Sequence, residues 1–383
     1  MSGTVRRRRG ALALVALLAI SATACTHETD GDGRVAQSAP IERRACAVDV
    51  PAQWRDAIAG SAVDTGGLTT TARAVSPAGE VVAVRDSGDA HDLLLIGTDK
   101  SVRELYAVRE PDVFVIGDVE IDDRWVVFAV VRHPRNANGV LPQVKRIELI
   151  DRKTGARSTV AGQSDADAAL SPERNVLDPF TLFDGKVYWI TRDEYNGENG
   201  VAHSFDPQTG HRTDIASGPI RDLQTGPEWS GTPATVPPEV AGLPAAALGS
   251  LGTDGTAFGW VSTVADGNAE ISYWSPQTGV VKVGGVDVDE ATFSKPVLVF
   301  DSLVILDAGG STTFLGSSAT VVDTRSGAVA RLTPRNPGQY DRPMAAMGGT
   351  LALALWAGAP RGPKQADYEV GVLRTGALNS PAC

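Results

Sequence analysis

The sequence predicts an all-β fold, a β-propeller of six four-stranded blades give or take one, and three observations predict it. A strand–tight turn–strand phrase returns six times from residue 46 onward, a second glycine-closed turn follows four of those phrases, and no stretch carries an apolar helix period long enough to cover a sheet.

The first turn appears as Pro77-Ala78-Gly79 before Glu80-Val81-Val82-Ala83-Val84, and as Asp122-Asp123 before Arg124-Trp125-Val126-Val127-Phe128. It returns as Asp184-Gly185 before Lys186-Val187-Tyr188-Trp189-Ile190, Asp254-Gly255 before Thr256-Ala257-Phe258-Gly259-Trp260, Asp301-Ser302 before Leu303-Val304-Ile305-Leu306, and Gly348-Gly349 before Thr350-Leu351-Ala352-Leu353. Gly and Asp tolerate the positive φ of tight turns, and β-branched and aromatic runs suit buried strands. The second turn reads Asp151-Arg152-Lys153-Thr154-Gly155, Asp206-Pro207-Gln208-Thr209-Gly210, Ser275-Pro276-Gln277-Thr278-Gly279 and Asp323-Thr324-Arg325-Ser326-Gly327, its glycine supplying the left-handed closing position. The unit is therefore strand, tight turn, strand, loop, strand, second turn, strand. Residues 46–383 allow about 56 residues per unit, slightly more than common blades, with loops taking the excess. A tandem of β-sandwiches is the rival fold; it requires unequal blocks and a linker, and the sequence has neither.

Ser76-Pro77-Ala78-Gly79 resembles the S-P-D-G turn of TolB-like propellers, and the D-x-x-T-G turns resemble those of quinoprotein-like repeats. The likeness covers most of residues 66–378. These motifs specify turn geometry and carry no activity, and WD dipeptides and sialidase Asp boxes are absent.

The N-terminus reads as an export signal over residues 1–24. Arg6-Arg7-Arg8-Arg9 precedes an apolar run from Ala11 to Ile20, about half the ~20 residues of a spanning helix. Cys25 follows Ala22-Thr23-Ala24, which resembles the lipobox of bacterial lipoproteins, although Ala22 stands where Leu, Val or Ile is usual. The resemblance implies a diacylated Cys25 at the mature N-terminus and a membrane-anchored, extracytoplasmic protein. The same Ala-Thr-Ala also satisfies an A-x-A cleavage site that would release a secreted protein. Cysteine parity favours lipid: with Cys25 acylated, Cys46 and Cys383 remain as an even pair. Residues 25–45 read as the lipidated end and a polar tether, and 46–383 as the propeller domain. Export permits oxidation, so a Cys46–Cys383 disulfide is expected to tie the ends of the ring. Residues 51–59, with Trp54 and Ile58 one turn apart, predict a short helix packed on it.

The formal charge is -11. Loss of residues 1–24 leaves 31 Lys and Arg against 46 Asp and Glu, hence -15. Such a surface excludes a nucleic-acid partner and leaves membrane residence to acyl chains.

Function is expected on the face opposite the tight turns, where the loops between second and third strands, expected to be the long ones, emerge: 85–92, 132–145, 192–200, 262–270, 308–319 and 357–369. Arg132, His133 and Arg135, with Arg361 and Lys364, are positive points there that would suit an anionic ligand or partner. Asp193, Glu194 and Tyr195 open the most oxygen-rich loop, which lacks the spacing of a calcium loop. The sequence shows no H-x-H, H-E-x-x-H, C-x-x-C, G-x-S-x-G or phosphate-loop motif, so no catalytic residue, metal or cofactor is assigned. The expectation is a lipid-anchored envelope scaffold that binds a protein, glycan or other ligand. The rival readings are a glycan hydrolase or lyase with carboxylates at the channel mouth, and a small-ligand sensor.

Overall fold

The computed structural model describes residues 39–132, 144–162, 176–192, 197–220, 223, 237–244, 247, 250–265, 267–288, 296–307, 319–332, 341–358 and 367–383. Two short strands, β1 (Ile41–Arg44) and β2 (Cys46–Val48), precede the helix Ala52–Ala59 and a two-residue strand β3 (Ala62–Val63). Six antiparallel units follow. Blade 1 is β4 (Thr69–Val75), β5 (Val81–Asp86), β6 (His91–Ile96) and β7 (Val102–Val108). Blade 2 is β8 (Phe114–Ile121), β9 (Trp125–Arg132), β10 (Val144–Asp151) and β11 (Arg157–Gly162). Blade 3 is β12 (Val176–Phe183), β13 (Lys186–Arg192), β14 (Asn199–Asp206) and β15 (His211–Pro219). Blade 4 is β16 (Gly252–Thr253), β17 (Phe258–Ala265), β18 (Asn268–Ser275) and β19 (Gly279–Asp287). Blade 5 is β20 (Leu298–Phe300), β21 (Leu303–Asp307), β22 (Ala319–Asp323) and β23 (Ala328–Leu332). Blade 6 is β24 (Arg342–Met347), β25 (Thr350–Trp356) and β26 (Tyr368–Arg374), and β3 from the N-terminal segment supplies its fourth strand.

The first strands of the blades ring the axis: β4 packs on β8, β8 on β12, β16 on β20, β20 on β24, and β24 returns to β4. Successive strand residues point to opposite faces, and in a blade both faces are covered, so the strands read as continuous apolar runs. Val82 and Val84 join Phe128 and Val130 between blades 1 and 2, while Val81 and Ala83 join Ala352 and Val370 between blades 1 and 6. Val127 and Ala129 turn the other way, to Trp189 of blade 3. Ile271 and Val283 meet Val304 and Val322 between blades 4 and 5, and Phe300 and Ile305 meet Leu351 and Leu353 between blades 5 and 6. The other face of blade 4 is covered differently. Val240, of the short helix Pro238–Ala241, together with Ala247 and Leu251, packs on Phe258 and Trp260, so the described part of the segment between blades 3 and 4 serves as core.

The second turns close as expected. Asp151 Oδ1 accepts the N–H groups of Lys153 and Thr154, Asp206 Oδ1 accepts that of Gln208, and Asp323 Oδ1 accepts that of Arg325. Gly155, Gly210, Gly279 and Gly327 all hold positive φ, where a Cβ would be strained. On the same face the Gly348 N–H donates to Asp254 O at 2.9 Å, so the tight turns of blades 4 and 6 meet across blade 5.

The N-terminal segment straps three blades together. β1 adds in parallel to β19, β2 adds in parallel to β23, and β3 pairs with β26. Trp54 and Ile58 on the helix are buried between blades 5 and 6, as their spacing predicts, and Trp54 Nε1 donates to Asn379 O at 2.8 Å. Cys46 and Cys383 form the expected disulfide. Two details differ from expectation. β1 lies within the segment read as tether: all four of its side chains are exposed, so pairing rests on backbone hydrogen bonds and leaves no apolar signature. The loops at 85–92 and 262–270 are short, because β5 and β6, and β17 and β18, continue almost to their shared hairpin.

Candidate functional site

Among the first strands that ring the axis, β4, β8, β12 and β24 each carry a register break. In β4 the break falls between Ala72 and Ala74, in β8 between Ile116 and Val119, in β12 between Leu177 and Phe180, and in β24 between Pro343 and Ala345. A β-bulge leaves a residue out of the ladder and re-aims its side chain. The skipped residues include Arg73 in blade 1 and Asp118 in blade 2. Gly117 precedes Asp118 because a Cβ there would stand 2.8 Å from Val131 Cγ1.

Arg73 is solvent-exposed, yet surrounding protein lowers its guanidinium pKa, and the Asp118 carboxylate acts against that fall. Asp118 is also exposed. Two residues along the same strand, the half-buried Glu120 reaches towards blade 3, where its Oε2 accepts the Leu182 N–H at 2.5 Å. Burial pushes the Glu120 carboxyl up to about 7, and the Asp118 charge adds to the rise, whereas the Leu182 N–H favours the charged form. Beside Leu182, the buried Thr181 Oγ1 has no hydrogen-bond partner. The first strands of blades 1 and 2 thus present a guanidinium, a carboxylate and a carboxyl that exchanges a proton near neutrality. Such a set can hold a polar ligand by paired donors and acceptors, and Glu120 can give or take a proton.

A second polar array lies on blade 3. Thr191 Oγ1 bonds His203 Nε2, and His203 Nδ1 bonds Asp214 Oδ1 at 2.7 Å, the connectivity of a nucleophile, base and orienting acid. His203 is only 5% exposed, however, and stacks on Trp189 with centroids 5.0 Å apart. Its ring is committed to packing, and the array pins the exposed outer strand β15 to β14.

Of the residues singled out from sequence, Arg132 ends β9, half-buried, with its Nε unpaired among the described residues. Cys25, His133, Arg135, Asp193, Glu194, Tyr195, Arg361 and Lys364 lie outside the described residues. Arg73, Asp118 and Glu120 were missed. The available signal was small: a Gly117-Asp118 pair and Glu120 interrupting the apolar run Phe114–Ile121, and one arginine inside Thr69–Val75. Among the described residues no three His, Cys, Asp or Glu side chains gather as a metal site, and no helix is long and apolar enough to cross a membrane.

No protein-family model matches the chain, and no curated protein does. Solved structures similar to it include an oligogalacturonate lyase in complex with manganese, at 10% identity and TM-score 0.33 over 77% of this chain and 74% of that one. Virginiamycin B lyase from Staphylococcus aureus aligns at 14% identity and TM-score 0.30, covering 77% of this chain and 80% of the other. A putative gluconolactonase aligns at 11% and 0.34, covering 82% and 94%. Likenesses at this level transfer no activity; the propeller is read from the blades described above.

Proposed function

We propose that the protein is an exported, lipid-anchored member of the TolB-like and quinoprotein-like propellers that binds a small, hydroxyl-rich ligand in its central channel. The observation that carries the ligand site is the convergence of Arg73, Asp118 and Glu120 on bulged inner strands. A guanidinium and a carboxylate on adjacent inner strands match neighbouring hydroxyls as donor and acceptor, and Glu120 can serve either role according to its proton. The Cys46–Cys383 disulfide supports an address outside the reducing cytoplasm. The lipobox-like Ala22-Thr23-Ala24-Cys25 supports anchorage through Cys25 at the outer face of the cell membrane. Envelope proteins or glycans are then the available partners.

A thermal-shift screen of sugars, polyols and amino acids tests the site. At least one hydroxyl-rich compound should raise the melting temperature of the wild type and fail to do so in Arg73→Ala and Asp118→Asn. Stabilisation that persists unchanged in both variants contradicts the channel as its site. The second reading, acid–base catalysis on a glycan, is favoured by one observation: a carboxyl poised near pH 7 is suited to general acid or base work. Under that reading Glu120→Gln retains ligand binding and loses turnover.

A further inference from the structure

The tight-turn face holds a second polar cavity, remote from the long loops. It has a volume of about 410 Å³ and lies between blades 4 and 5, with Ile41 and Arg43 of β1 in its wall. Its polar groups are unevenly committed. Each lining carboxylate is held by one oxygen: Asp254 Oδ1 accepts the N–H groups of Thr256 and Ala257, and Asp301 Oδ2 accepts the Gly376 N–H at 2.9 Å. The Tyr273 hydroxyl donates to Asp301 O at 3.0 Å.

The donors are largely unspent. The Arg325 guanidinium and the Gln277 amide have no partner among the described residues, and both are exposed on turns. Arg43, which lines the cavity, donates its Nε to Thr324 O at 3.0 Å, and its terminal nitrogens have no partner among the described residues. The two guanidinium groups and the amide offer a planar anion paired hydrogen bonds.

We propose that this cavity binds a small carboxylate between Arg43 and Arg325, and that the ligand fastens the N-terminal strand β1 to the ring. Arg43 belongs to a strand whose side chains are all exposed, and it already bridges from the edge of blade 4 to a turn of blade 5. A carboxylate held from both sides adds bonds that exist only while β1 is docked, so occupancy and docking reinforce each other. This site is independent of the channel.

Calorimetric titration of the full mature chain with succinate tests it, with inorganic phosphate and glucose as parallel probes. Succinate should bind the wild type and bind at least about tenfold more weakly to Arg325→Ala and to Arg43→Ala, since each removes charge-assisted hydrogen bonds. Arg325 is exposed on a turn, so its variant keeps the fold. Succinate should also slow amide exchange at residues 41–44. Absence of binding, unchanged affinity in Arg325→Ala, or binding of phosphate or glucose as tight as that of succinate overturns the carboxylate site. Succinate binding without slower exchange at 41–44 overturns the coupling to β1.

Discussion

Cys46 and Cys383 are 337 residues apart in the chain and 5.9 Å apart between Cα atoms, joined by a disulfide that closes the ring just outside its first and last strands. The closure it reinforces is short: β2 has three residues and β3 two. The loop-entropy relation sets an upper bound of about 5–6 kcal/mol for a crosslink of this span. Cys46→Ser with Cys383→Ser, or reduction, should lower the melting temperature and open the β3–β26 edge first. Non-reducing peptide mapping should recover the joined peptides. Free thiols at both positions, or an unchanged melting temperature on reduction, would count against the clasp.

Glu120 makes stability fall as pH rises. Its carboxyl pKa goes from an ordinary 4.5 to about 7 in the folded chain, so the native state holds the proton more tightly between those values. The stabilisation is complete below pH 4.5 and lost as pH passes through 7; from the size of the shift it amounts to at most about 3 kcal/mol. Glu120→Gln keeps an acceptor for the Leu182 N–H and removes the titration. Denaturant unfolding at pH 5 and pH 8 should show a smaller decline for the variant, with the variant the more stable at pH 8.

His203 acts with the opposite sign. Burial lowers its pKa below the ordinary 6.5, helped by Arg212 and opposed by Asp214, so the folded chain prefers the neutral ring. Stability from that neutral ring is present above pH 6.5 and is lost as pH falls through the depressed value. Amide exchange in β15, corrected for its intrinsic pH dependence, should be several-fold faster at pH 5 than at pH 7.5 in the wild type. His203→Gln should remove the difference.

Lipid anchorage makes a simple prediction. Cys25→Ser should release the protein from the membrane into the medium, and mass spectrometry of the wild-type N-terminus should show a diacylglyceryl group on Cys25. Were residues 1–24 removed, the remaining net charge of -15 would offer anionic headgroups no attraction able to substitute for the proposed acyl chains.

The blades were legible in the sequence because turn chemistry is local. Asp151, Asp206 and Asp323 bind N–H groups two or three residues ahead, and glycine at the closing position is required by backbone sterics alone. Trp54 and Ile58 were legible for the same reason, as neighbours on one helical turn. β1 was not: a parallel edge strand with four exposed side chains draws on a partner 240 residues away, Ile41 on Val281. The channel site was hidden too, because a bulge is a property of two paired strands. Nothing in Thr69–Val75 alone marks Arg73 as the residue left out of register, and nothing in Phe114–Ile121 shows that Glu120 will meet the Leu182 N–H of another blade.

If the inner strands assemble one charged site, a carbon-13 NMR titration of the Glu120 carboxyl will report it. It should titrate near pH 7, and Asp118→Asn should move the midpoint down by removing the neighbouring charge. A midpoint near the ordinary 4.5, indifferent to Asp118→Asn, would contradict the site.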